Sequence, residues 1–147
     1  MILADTNVII EYWNNPTDEV RNIFCKNDIA TCGIIKTELL RGAKSDKEFN
    51  LINEALNSFY FLNFDDDNDW IMLANFLRRL RQNGLSVPFQ DAVIAYLSVK
   101  YDCQIWTYDK HFKLMQIVIP EIRLYKYWKK LPLMRQFFYR LYYIPKS

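Results

Sequence analysis

Four carboxylates in this chain could do chemistry together: Asp5, Glu38, Asp91 and Asp109. Gathered within about 4 Å at an effective dielectric near 20, each pair would repel by roughly 4 kcal/mol, a strain that a divalent cation relieves. The chain has one histidine, and Cys25, Cys32 and Cys103 form no C-x-x-C pair. The available donors are therefore hard oxygens, which suit Mg²⁺ or Mn²⁺ better than Zn²⁺. An acidic site holding such an ion activates water and offsets charge on a phosphoryl oxygen, which is what phosphodiester hydrolysis requires.

Each acid also has an ordinary use. Asp5 ends an apolar run and can cap the following helix through the amide of Asn7 or Val8. Asp91 falls in the first turn of a helix, where a negative charge complements the macrodipole. Asp109, in Thr107-Tyr108-Asp109-Lys110, reads as a turn aspartate. Glu38 is harder to explain away. On a helix over residues 34–42, a step of about 100° per residue sets it between Ile34 and Ile35 and beside Leu39, inside the apolar arc. A carboxylate there needs a cation, a set of hydrogen bonds or a raised pKa, unless a salt bridge or nearby water accommodates it.

The elements that must position these acids follow from periodicity and punctuation. Ile2-Leu3-Ala4 reads as a strand, a turn at Asp5-Thr6-Asn7 follows, and Val8 to Trp13 suit a helix. Pro16-Thr17-Asp18-Glu19 opens a helix to about residue 26. A second strand is expected over 28–33, then helices over 34–42 and 45–58, the latter with Ser45 as N-cap and Glu48 at the capping-box position. Residues 59–62, Phe-Tyr-Phe-Leu, read as a buried strand. Asp65, Asp66, Asp67 and Asp69 precede or cap a helix over 68–83 that Gly84 ends, with Trp70, Leu73, Phe76, Leu77 and Leu80 as its apolar stripe and Arg78, Arg79 and Arg81 outside it. Pro88 starts a helix to about residue 101, apolar on nearly every side and therefore central. Strands over 103–108 and 122–127 complete an α/β layered fold with a mainly parallel sheet. In such sheets strand carboxyl ends and helix N-termini gather at one crevice, where Asp5, Asp109 and Asp91 are placed.

Composition agrees with one folded domain. The chain has 147 residues, 51% of them hydrophobic and 24% charged, with only three glycines and five prolines, which excludes disorder and collagen-like structure. No apolar run approaches the roughly 18 residues of a membrane span. The N-terminus meets an acid before any signal-peptide core develops, so a cytoplasmic protein without a membrane partner is expected. The net charge of +2 hides an asymmetry. Residues 126–147 carry six basic groups and no acid, while residues 1–125 sum to −4. A basic, aromatic tail on an acidic body suits a polyanionic partner.

Four blocks carry a resemblance: Asp5-Thr6-Asn7-Val8-Ile9-Ile10, Thr37-Glu38-Leu39-Leu40-Arg41-Gly42, Gln90-Asp91-Ala92-Val93-Ile94-Ala95 and Trp106-Thr107-Tyr108-Asp109-Lys110-His111-Phe112. Together they resemble the signature blocks of PIN-domain ribonucleases, and their order, spacing and total length are most similar to the VapC toxins of VapBC toxin-antitoxin systems. The resemblance covers residues 1–127 as a PIN-like nuclease domain and leaves 128–147 as a basic C-terminal extension longer than compact family members need. It implies a three-layer α/β/α fold with four to five mainly parallel strands. It also implies an endoribonuclease in which Asp5, Glu38, Asp91 and Asp109 hold one or two Mg²⁺ (or Mn²⁺) ions while water attacks the RNA phosphodiester in line. Asp5 and Asp91 are then the firmest ligands, and Thr6, Asn7 and Thr107 orient carboxylates. A VapB-type antitoxin and a homodimer are the partners the resemblance implies.

Two other functions fit the acids less well. A magnesium-dependent phosphatase of the haloacid-dehalogenase type usually has a second aspartate two residues after the first, and that place is Asn7 here. A non-catalytic RNA-binding PIN scaffold has no physical use for four retained acids. In the tail, residues 133–143 project as an amphipathic helix that could pack on the domain or a second copy, dock RNA through Lys129, Lys130, Arg135 and Arg140, or lie on a membrane surface. Lys110 and Lys113 could meet a substrate phosphate or simply be solvated. His111 is better read as a structural turn residue than as an acid-base group.

Overall fold

Three apolar residues form the central strand. β1 (Ile2–Ala4) is buried along its whole length and has parallel neighbours on both sides, β2 (Ile29–Cys32) and β4 (Gln104–Trp106). The structure, a computed structural model, describes residues 1–127. The tail helix expected over 133–143 and Lys129, Lys130, Arg135 and Arg140 lie outside the described residues.

β3 (Tyr60–Leu62) pairs with β2 and β5 (Arg123–Leu124) with β4, giving an all-parallel sheet in the order β3-β2-β1-β4-β5. The connections are helical: α1 (Thr6–Asn14) and α2 (Asp18–Lys26), α3 (Gly33–Arg41) and α4 (Asp46–Leu56), α5 (Asp67–Gln82) and α6 (Phe89–Lys100), then α7 (Lys110–Val118). A parallel sheet needs such crossovers, and they cover both faces of the α/β/α sandwich. From β1 the chain builds outward through β2 and β3, then returns to β1's other side with β4. The order thus reverses at the β1–β4 pair, the place where a crevice opens at the strand carboxyl ends.

Local chemistry sets the helix ends. Thr17, Ser45 and Asp66 cap α2, α4 and α5 through their side chains. Glu48 reaches the Lys44 amide rather than that of Ser45, so the expected capping box is shifted by one residue. Gly84, at φ 75°, ends α5 with Gly84 N on Arg81 O and Leu85 N on Leu80 O, a Schellman turn. α6 is the most enclosed helix, buried continuously from Ala92 to Ser98.

Several elements depart from expectation. β3 is an edge strand with Tyr60 58% and Phe61 50% exposed, not a buried one, because the sheet ends there; only Leu62 faces the core. On α5, Leu73 and Leu80 are buried and Phe76 and Leu77 pack on the core, but Trp70 is 52% exposed. Asp69 is buried instead, bonded to the Tyr96 hydroxyl and paired with Lys100, which also pairs with Asp65 at 2.7 Å. α7 is absent from the sequence reading altogether; it buries Phe112 and Met115. Among the described residues, no helix is long and apolar enough to cross a membrane.

Candidate active site

The reversal point sets the first two side chains. Ala4 and Trp106 are partners across β1 and β4, so Asp5 and Thr107 leave the sheet side by side. The Asp5 amide donates to Trp106 O at 2.9 Å, and the Thr107 hydroxyl donates to Asp5 Oδ2 at 2.6 Å. Asp5 Oδ1 accepts from the Thr6 amide at 2.8 Å rather than from Asn7 or Val8 as expected; its other oxygen is held by Thr107, and the Val8 amide bonds to the Asp5 backbone carbonyl instead.

Glu38 enters from α3. Its neighbours Ile35 and Leu39 are buried, and its half-buried carboxylate accepts from the Thr6 hydroxyl at 2.5 Å. Asp109 caps α7, accepting from the His111 amide at 2.9 Å while its own amide donates to Thr107 Oγ1 at 2.9 Å. Asp91 comes from the first turn of α6, and its Oδ2 lies 3.0 Å from His111 Nδ1, which is also 3.4 Å from Asp109 Oδ1. One run of contacts, Glu38–Thr6–Asp5–Thr107–Asp109–His111–Asp91, thus joins all four acids.

The electrostatics report the crowding. Burial pushes the Asp5 carboxyl up from 3.8 to about 6; the hydrogen bonds from Thr107 and Thr6 oppose the rise, and the charges of Asp91 and Glu38 add to it. Burial also raises Asp91, with Asp109 and Glu38 adding and His111 opposing.

A family model described as PIN domain matches residues 2–118. The chain belongs to the PIN-domain family. Among its relatives are a VapC ribonuclease of Mycobacterium bovis and the VapC11 ribonuclease of Mycobacterium tuberculosis, each 30% identical over 122 residues, spanning 78% of this chain and 91% of the relative. Solved structures share the fold. VapBC2 from Rickettsia felis, bound to a promoter DNA fragment, aligns at TM-score 0.70 and 21% identity over 86% of this chain and 99% of that one. DNA-bound VapBC from Salmonella typhimurium aligns at 0.70 and 23% over 84% and 96%. This PIN domain is of the VapC type.

Of the groups expected to orient carboxylates in this PIN domain, Thr6 and Thr107 do so and Asn7 does not. Its Oδ1 is buried without a hydrogen-bond partner among the described residues. Lys110 and Lys113 are exposed on α7. His111, expected as a structural turn residue, has its ring between Asp91 and Asp109, within reach of both carboxylates. Had Asp109 been recognised as a helix cap, His111 would have fallen in the first turn behind it.

The donor set fits a divalent cation. Ligand atoms of Asp91, Asp109 and His111 lie within 4.8 Å of one another, and Asp5 and Glu38 add charge of the same sign beside them. Acids that raise one another's proton affinity attract a cation for the same reason.

Proposed function

We propose that this PIN-domain protein is a metal-dependent endoribonuclease of the cytoplasm, hydrolysing RNA phosphodiester bonds as the toxin of a type II toxin-antitoxin system. The convergence of Asp5, Glu38, Asp91 and Asp109 at the β1–β4 reversal carries the reading. Asp5 and Asp91 are the principal holders of Mg²⁺ or Mn²⁺, with Glu38 and Asp109 completing the set. When bound, the ion neutralises these acids, offsets charge on a phosphoryl oxygen and makes nearby water more acidic.

The chain's own residues prepare the place. Thr107 and the Thr6 amide each hold one oxygen of Asp5, fixing its rotamer, and the Thr6 hydroxyl does the same for Glu38. The α6 N-terminus directs partial positive charge toward Asp91. A VapB-type antitoxin, a homodimer and RNA contacts by Lys110 and Lys113, with those of the tail, belong to the same reading. So does the division into a nuclease domain over 1–127 and a basic extension over 128–147.

Purified protein incubated with RNA, with and without Mg²⁺ or Mn²⁺, beside an Asp91→Asn variant tests it. Cleavage that needs the metal and disappears in the variant is the expected result. Hydrolysis of small phosphate esters alone, or RNA binding without turnover, overturns it.

A further inference from the structure

Among the described residues, His111 supplies the one side-chain nitrogen in the group of Asp91, Asp109 and His111 that could hold a metal ion, and its ring faces both carboxylates at once. Its Nδ1 lies 3.0 Å from Asp91 Oδ2 and 3.4 Å from Asp109 Oδ1. In an octahedral site with bonds of about 2.1 Å, adjacent ligand atoms stand about 3 Å apart, so these separations are those of neighbouring corners around one ion. The backbone fixes the ring where it is: the His111 amide is bound to Asp109, and the next residue, Phe112, is anchored in the core at 1% exposure.

We infer that His111 Nδ1 is a ligand, beside Asp91 and Asp109, of the ion the site holds, and that this nitrogen gives the site a preference for Mn²⁺ over Mg²⁺. The inference rests on the metal-dependent reading above. Mg²⁺ keeps to oxygen ligands and sheds water reluctantly, whereas first-row transition ions accept imidazole readily. An all-carboxylate site has no such means of discriminating between them.

His111 is the chain's single histidine, so a spectroscopic nitrogen signal has one side-chain imidazole as its source once any purification tag is removed. Tag-free protein loaded with Mn²⁺ is examined by electron spin-echo envelope modulation. Nitrogen-14 coupling to Mn²⁺ that changes when the protein is made with ¹⁵N-histidine is the expected result, and it requires no mutation. In His111→Gln the coupling vanishes, and in direct competition the preference for Mn²⁺ over Mg²⁺ drops by roughly tenfold. Mn²⁺ that binds without histidine coupling and competes equally in both proteins overturns the inference while leaving the proposed nuclease standing. Failure of both ions to bind the wild-type protein overturns the inference and the metal-dependent reading beneath it.

Discussion

Replacing Thr107 with valine removes one hydroxyl at nearly constant shape and tests how Asp5 is kept ready for a cation. That hydroxyl donates to Asp5 Oδ2 at 2.6 Å, and it opposes the burial that lifts the carboxyl to about 6. A hydrogen bond to an ionised group is worth about 1.5 to 3 kcal/mol, so its loss makes Asp5 hold a proton roughly 10- to 100-fold more tightly. At pH 7 the ionised fraction then falls from about nine-tenths to between about one half and one tenth. Because proton and metal compete for the same oxygens, apparent Mg²⁺ affinity drops roughly 2- to 10-fold at pH 7 and returns to within about twofold of wild type at pH 8.5. Calorimetric titration of Mg²⁺ at the two pH values reads this directly, and Thr107→Ser, which keeps the hydroxyl, restores the wild-type profile. A loss of equal size at both pH values refutes the reasoning, since it means that Thr107 acts on geometry through the Asp109 amide it also accepts. Unchanged affinity at pH 7 refutes it outright.

The raised Asp5 carboxyl has a second consequence, for stability. The fold favours its neutral form, so its contribution is fully present below about 3.8 and is lost as pH rises through about 6. The difference amounts to up to about 3 kcal/mol, so Asp5→Asn in metal-free protein should melt higher than wild type at pH 7.5 and nearly equally at pH 4; a variant melting lower at both rejects this. Tyr96→Phe removes the hydroxyl that donates to buried Asp69 at 2.6 Å; a cost of about 1.5 kcal/mol, or roughly 3 to 6 °C in melting temperature, is expected by calorimetry. Phe112→Ala empties the site that docks α7, with a loss of about 3 to 5 kcal/mol in chemical denaturation, whereas Phe112→Leu retains most of the stability. A loss below about 1 kcal/mol for alanine means that α7 is not held by this ring.

The residues most legible in the sequence were those whose signal is local. Asp5 stands at the end of a wholly apolar strand and before a helix, and both neighbours can be read within ten residues. Glu38 announces itself by interrupting an apolar arc, and α6 by being apolar all round. What escaped depends on partners far along the chain. Asp69 looks like one more capping acid until Lys100, 31 residues later, is placed against it. The aromatic residues of β3 look buried because an edge position belongs to sheet order, not to composition. α7 is short, with two lysines and a glutamine among its nine residues, and its anchors Phe112 and Met115 became a pattern only once Asp109 was seen as its cap. With α7 missed, His111 lost the geometry that brings it to Asp91.

The bond between Thr107 and Asp5 spans 102 positions and joins neighbours in the sheet that are the first and fourth strands to be made. A ribosome emits the polypeptide from its amino end, so Asp5 and Glu38 emerge long before Asp91, Thr107 and Asp109 exist. No truncated product stopping short of residue 107 can assemble the acidic centre, whatever part of it folds. The candidate acidic centre is in this way completed only once synthesis has passed Asp109, with most of the 147 residues already made.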